Sequence, residues 1–592
     1  MGIPMFYKHF VMKMKFPNVV VPRLPDIVHF LSIDMNGILH KCAMICYAYA
    51  EGATPERLAY VAQTSDEKLE IEYHHLVTTK LMEVVSQVSP TEALIIAIDG
   101  VAPLAKIKQQ RQRRYKAASE RDPGLVFDSN QITTGTDFMN RLDEYLTAWL
   151  KKNSQILPPT IIYSNHRVRG EGEHLIMDVF RNRPEFRSRD KVHAIYGLDA
   201  DLMLLSLLTP IHNAYLVRED INNVVNINQM KQGLITFLRR SPTAISDFAV
   251  MMCFIGNDFL PPVISALDMS SSLHRMMRIY NQVALSLTER TPGSPYGYRL
   301  KWENFAKYLA ALAAEEPDML YALSYKPEII PLRIVQDYTD QSKPLHHQVD
   351  MDTLRNEWYH QILSPPAHTD TAVFETLLKT DKPFGLTPEN FNDLIESYVM
   401  GIAWVLQYYT EGPTKINQSY YYPYMHAPLF NELASMASQL DQNDFDILED
   451  NYHFDIPHQL LSVMPPKSAK LIPSKLRHFV IDPLSGLRDL FPDTFTVEMD
   501  TGQRHGVALI PFVEPARVMD AINGVEFTEE EREYYFEEGK DLVIVRTTAP
   551  APKPKAPSVA YPTKKFDTKF RPSSPTRDPV TVWKKVLPTK KK

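Results

Sequence analysis

Cysteine is scarce in this chain: Cys42, Cys46 and Cys253 are the only three in 592 residues. So few thiols exclude a disulfide framework and point to a reducing compartment. Cys42 and Cys46 are four apart and would share a helical face, but there is no CxxC or His-flanked knuckle, so they read as small buried hydrophobes rather than a zinc site. Long apolar runs are also missing. None reaches roughly 18 residues, so no membrane span is expected. The opening MGIPMFYKHF has no secretory apolar stretch, and Phe6 stands where myristoylation requires Ser or Thr. No internal repeat is visible. A global excess of positive charge is lacking too, since the net charge is −7.

That balance changes once the chain is divided. From Thr547 to the end there are twelve Lys or Arg against two Asp, a net of +10, so the remainder carries −17. Local charge, not the total, must decide the partner. An apolar fraction of 44% is that of a folded chain, and the length exceeds one ordinary core. Residues 1–315 alternate apolar strand-like runs with helical patterns and are expected to form an α/β region with a mainly parallel sheet. Residues 316–350 read as connecting structure. Residues 351–545 form a second, aromatic-rich block expected to pack on the first. The Pro- and Lys-rich tail 546–592 has too little apolar content for a core and is expected to be disordered.

Five short segments carry seven acids: Asp34 in SIDMNGILH, Asp99 in IIAIDGVAP, Glu171 and Glu173 in RGEGEH, Asp199 and Asp201 in YGLDADLM, and Asp258 in FIGNDFLPP. VHFLSID, ALIIAID and VHAIYGLD are apolar runs that end at an acid, as buried parallel strands do when they lead to a ligand site at the sheet's carboxyl end. Each acid taken singly also suits a turn or helix cap. Together they could not crowd in ionised form without cations between them. Hard oxygen donors favour Mg²⁺ or Mn²⁺, and two such ions are a means of cutting phosphodiesters, so a metal-dependent nuclease is the leading expectation.

Directly after Asp99 comes GVAPLAKIKQQRQRRYKAA, a helix begun by Pro103. Lys106, Gln110, Arg113 and Arg114 recur at i, i+4, i+7 and i+8 and therefore share one face. Three cations and an amide on one face suit a phosphate, although a charge run is also an ordinary solvated surface. The helix starts where the proposed metals lie. It could hold one phosphate while the next is attacked, which would measure off one nucleotide from a chain end.

These residues resemble the XRN family of 5′→3′ exoribonucleases, whose nuclease core is shared with flap endonucleases. DMNGILH, AIDGVAPLAKIKQQRQRR, FDSNQITTGTDFM, GEGEH, YGLDADL and GNDFLPP are similar to its first block. GIAWVLQYYTEG, YYYPYMHAP, HQLLSVMPPKS, LIPSKL and HGVALIPFVEPARVMDAI are similar to its second, so the likeness covers about 1–545. The resemblance implies a flap-endonuclease-like fold in which the seven acids hold two divalent ions. It implies that Lys106, Gln110, Arg113 and Arg114 bind the 5′-monophosphate of single-stranded RNA and exclude a cap or triphosphate. It also implies that His40 stacks on the terminal base. The family's Trp-x-Trp is replaced by Gln418, Ser419 and Tyr420, so Tyr420 or Tyr421 is expected to partner His40 with weaker stacking. Leu104 and Arg169 stand where the family has Arg and Pro, and the stretch between Arg114 and FDSN is short.

The function expected is processive, Mg²⁺-dependent 5′→3′ hydrolysis of 5′-monophosphorylated RNA to 5′-mononucleotides in RNA decay, by a compact member of viral or divergent eukaryotic origin. A flap endonuclease or DNA exonuclease, and an inactive RNA-binding scaffold, are the alternatives. A decapping factor is the candidate protein partner. Cytoplasm is the expected location, with KKVLPTKKK a candidate nuclear signal.

Overall fold

The computed structural model describes residues 16–121, 127–199, 201–218, 224–239, 242–325, 339–340, 342–343, 349–363, 387–446, 452–498 and 507–546. Its largest sheet contains β1 (Val20–Val21), β2 (Phe30–Asp34), β3 (Ala93–Ala97), β4 (Thr160–Ser164), β5 (His193–Tyr196), β6 (Ala214–Val217), β7 (Val224–Asn226) and β12 (Leu542–Val545). The order across the sheet is β1-β7-β6-β5-β2-β3-β4-β12. The five central strands, β6-β5-β2-β3-β4, are parallel, while β7, β1 and β12 add antiparallel edges. The expected α/β class with a mainly parallel sheet is therefore what the chain forms.

Parallel strands are covered on both faces, and β2 and β3 are buried along their whole length. Their side chains alternate between two cores. Ala93, Ile95 and Ala97 enter one, and Leu94 and Ile96 enter the other with Leu31 and Ile33. The register pairs Ile33 with both Ile96 and Tyr196, and Ala97 with Ser164. The carboxyl ends of β2, β3, β4 and β5 are thus level, so the segments that follow them emerge together.

The helices forecast from DFMNRLDEYLTAWLKKN, EHLIMDVFRNR, SDFAVMMCFIG and ESYVMGIAWVLQYYTEG are present as Asp137–Asn153, Gly172–Asn182, Ala244–Cys253 and Pro388–Glu411. Two short hairpins, β8–β9 (Thr288–Arg290, Tyr298–Leu300) and β10–β11 (Thr496–Glu498, Val507–Leu509), lie outside the main sheet. The Trp302–Ser324 helix runs through position 315, where the first region was expected to end. Its buried Leu309, Leu312, Met319 and Leu320 form one stripe that spans that point. That stripe shares a core with strand residues such as Ile95 and with Tyr398 and Trp404 of the second block. β12, from the far end of the second block, pairs with β4. The N-terminal MGIPMFYKHF and the tail beyond Arg546 lie outside the described residues, as does most of the expected connecting segment.

Candidate active site

Asp34 is the last residue of β2, Asp99 lies two beyond β3, and Asp199 three beyond β5. Glu171 caps the Gly172–Asn182 helix that follows β4, and Glu173 lies in its first turn. Carboxylate oxygens of Asp34, Asp99 and Glu173 all fall within 4.8 Å of one another. Gly172 permits this approach: a Cβ there would sit 3.1 Å from Asp34 Oδ1 and 3.4 Å from Asp99 Oδ1. Its amide donates to Asp99 Oδ1 at 2.7 Å, directing the positive end of the helix at the acids. Gly100 is equally constrained, since a Cβ would collide with Val168 O.

Crowding and burial hold Asp34, Glu173 and Asp201 toward the protonated form. Burial, then Asp99 and Asp199, push Asp34 up to about 7. Burial and the adjacent Glu171 raise Glu173 well above the usual carboxylate range, and burial with Asp199 and Asp258 does the same to Asp201. Oxygen-rich, mutually repelling and nearly dry, the Asp34–Asp99–Glu173 group fits a hard divalent cation.

The Leu104–Glu120 helix carries the expected basic face. Its first residue Leu104, in the position of the family Arg, donates its backbone N–H to Gln418 O at 2.9 Å. Lys106 donates to Asp258 Oδ2 at 2.7 Å and also pairs with Glu171. It joins the acids to the cationic face instead of standing free on that face. Burial raises Asp258, but Lys106 outweighs it and holds the carboxyl below its ordinary value. Beyond Lys106, Gln110, Arg113 and Arg114 point into the same cavity, which is about 420 Å³ and is also lined by Asp34, Asp99, Glu171, Glu173, Asp199, Asp258 and His40. Burial and neighbouring Arg113 lower the Arg114 guanidinium, and its buried Nε has no partner. Gln110 Oε1 is likewise buried and unbonded. An entering anion would accept from Arg114 Nε, whereas Gln110 Oε1 needs a donor and an anion would be met by its amide NH₂ instead. Burial, then Arg113 and Arg114, push His40 down to about 3, so its ring is neutral at working pH and suited to stacking.

Asp201 does not line this cavity; it is buried, with its amide 3.4 Å from Asp199 Oδ1. Tyr420 and Tyr421, expected to flank a base with His40, do not line it either. Tyr420 is buried against Trp404, with its hydroxyl donating to Ser397 O at 2.8 Å, and Tyr421 packs on Phe512. The physical reason is competition: the core of the second block takes these rings.

Several residues that the local pattern did not single out complete the site. Tyr408 donates to Glu171 Oε1 at 2.7 Å and stacks on His174 at 3.8 Å. Gln459 lines the cavity and accepts from Ala102 N at 2.8 Å. Ser129, Asn130, Thr133 and Thr134 form a polar wall. Arg169, in the position of the family proline, donates to Phe454 O and Asp455. Only the quoted family segments pointed near these residues; no spacing rule marks them.

A mainly parallel α/β sheet, with an acid cluster at its strand ends and a cationic helix face opening on the same cavity, defines the class of protein. Residues 1–124 and 122–220 match the XRN 5'-3' exonuclease N-terminus, and 386–575 match the Xrn1 helical domain. The chain belongs to the XRN family. It is 26% identical over 614 residues to the 5'-3' exoribonuclease 1 of Homo sapiens, covering 88% of this chain and 34% of that protein. To the 5'-3' exoribonuclease 1 of Schizosaccharomyces pombe it is 24% identical, covering 90% of this chain and 49% of that protein. It therefore spans half or less of these relatives' length. Among solved structures, the catalytic core of Rad2 in complex with DNA substrate is 14% identical, covers 62% of this chain and 96% of that chain, and has a TM-score of 0.32.

Proposed function

We propose that the chain is a divalent-metal-dependent 5′→3′ exoribonuclease that takes single-stranded RNA with a 5′-monophosphate and releases 5′-mononucleotides. One observation carries this reading: the Asp34–Asp99–Glu173 cluster and the Gln110–Arg113–Arg114 face line one cavity. Asp34, Asp99, Glu171, Glu173, Asp199, Asp201 and Asp258 are read as the acids that hold two Mg²⁺ or Mn²⁺ ions, Asp201 from behind the lining. Bound there, the metals would supply an activated water and charge stabilisation at the leaving oxygen.

The chain's own residues do the remainder. Arg113 and Arg114 clamp the terminal phosphate, since a guanidinium can meet phosphate oxygens through paired N–H bonds. Gln110 adds an amide, and Lys106 pairs with Glu171 and Asp258, which favours their charged forms, while facing the same phosphate. His40, neutral, offers its ring to the first base. Ser129, Asn130, Thr133 and Thr134 add polar lining to the cavity, and a site fitted to one phosphate is adverse to a cap or triphosphate. The second region completes this pocket through Gln459 and holds Glu171 through Tyr408.

Such a substrate is the product of a decapping or other 5′-trimming reaction, so an enzyme of that class is the proposed supplier. Cytoplasmic RNA decay is the proposed setting. Replacing Asp199 and Asp201 together by Ala is expected to lower cleavage on the order of a thousandfold or more while the fold melts at or above the wild-type temperature, because repulsion is relieved. A folded double mutant of wild-type activity would overturn the proposal.

A further inference from the structure

Arg111 sits within the basic run but off its phosphate-facing stripe, and it is fully buried. Its guanidinium makes a three-way bond to backbone carbonyls of the second region: Nε to Pro511 O at 3.0 Å, one terminal nitrogen to Ser462 O at 2.6 Å, and the other to Leu490 O. Tyr115 and Phe491 cover its faces at 4.6 and 5.1 Å. The three carbonyls belong to separate segments: the last turn of the Ile456–Val463 helix, the short turn Arg488–Leu490, and the strand exit after Leu509. A carbonyl in a helix's last turn lacks an intrahelical donor, so a cation there is favoured.

The Ile456–Val463 helix is tied to the basic helix at a second point, where Gln459 accepts from Ala102 N just ahead of it, and Arg169 bonds its capping Asp455. Two fixed points set both the position and the rotation of a helix. We infer that Arg111 is a positioning residue: it locks the rotation of the Leu104–Glu120 helix against the second region, and so aims Gln110, Arg113 and Arg114 at the 5′ phosphate. This deepens the reading of the cavity as a 5′-monophosphate site and rests on it. The second region then acts on substrate choice through a contact that never touches RNA. A small rotation would swing three phosphate ligands together, whereas the acids, carried mainly by β2, β3, β5 and the Gly172–Asn182 helix, would stay in place.

The test compares steady-state kinetics with Mg²⁺ on one RNA bearing a 5′-monophosphate or a 5′-hydroxyl, for wild type and Arg111→Lys. Lysine keeps the charge but lacks the planar fork that meets three carbonyls. The expected result is a KM for the monophosphate RNA raised about tenfold, kcat within about twofold, and constants for the hydroxyl RNA nearly unmoved. An unchanged preference in folded Arg111→Lys, or an equal loss on both RNAs, would overturn the role assigned to Arg111 alone. Wild-type protein that treats both ends alike would overturn the phosphate reading and this inference with it. Should Arg111→Lys not fold, Phe491→Leu removes one covering ring and leaves the carbonyl bonds. It is expected to shift the same preference by about threefold, and no shift would contradict the inference.

Discussion

The two halves of the cavity are frustrated in opposite senses. On one side Asp34 and Glu173, with Asp201 behind the lining, are pushed toward protonation by burial and by neighbouring carboxylates. On the other, burial and neighbouring Arg113 weaken the charge of Arg114, whose buried Nε–H has no acceptor. Lys106 is a cation paired with the acid half, through Glu171 and Asp258. Burying like charges side by side costs stability, so neither half is explained by folding alone. Each is completed by a ligand of opposite sign, cations for the acids and a phosphate for the helix. An RNA end with metal at its scissile bond brings both at once.

The largest way to break this comparison acts on the cationic half. Arg113→Ala should lower kcat/KM on 5′-monophosphorylated RNA by about 10- to 100-fold, the worth of a charge-assisted phosphate contact, and leave 5′-hydroxyl RNA nearly unaffected. Side-by-side kinetics on the two RNAs would show it. An equal loss on both would mean that the helix binds RNA without reading its end.

A smaller effect probes the acid half without substrate. Asp34 titrates near 7 when folded against an ordinary value of 3.8. Below 3.8 both states are protonated and the group contributes nothing. As pH rises from there through about 7, the unfolded chain releases a proton that the folded chain retains, so stability falls, and the cost is complete above 7. Between pH 6 and 8 this amounts to roughly 1 kcal/mol in metal-free protein. Buried His40 runs the other way, since its value is lowered and its contribution is lost as pH falls below 6.5. Urea denaturation in EDTA should show wild type losing stability from pH 6 to 8, and Asp34→Asn losing about that much less. Matching slopes would remove Asp34 from the account.

Much of this was legible before any coordinates. Strands buried on both faces read as VHFLSID and ALIIAID because they are apolar except for Ser32, and the acids stand at or just beyond their ends. Lys106, Gln110, Arg113 and Arg114 could be put on one face by spacing alone, and they line the cavity together. Long-range choices were not legible. Lys106 pairs with Asp258, 152 positions away, and Tyr408 reaches Glu171 across 237. Arg111, which no spacing rule marks, is buried among carbonyls contributed by distant segments. Tyr420 had the right chemistry for stacking on a base but is held by Trp404 and Ser397. β12 is a four-residue edge whose partner, β4, could not be inferred from its own pattern.

The most direct measurement is a digestion with Mg²⁺ of one labelled RNA carrying either a 5′-monophosphate or a 5′-triphosphate. The account predicts rapid conversion of the monophosphate form alone to 5′-mononucleotides. Equal cutting of both forms, or cutting of neither by protein that still binds RNA, would contradict it.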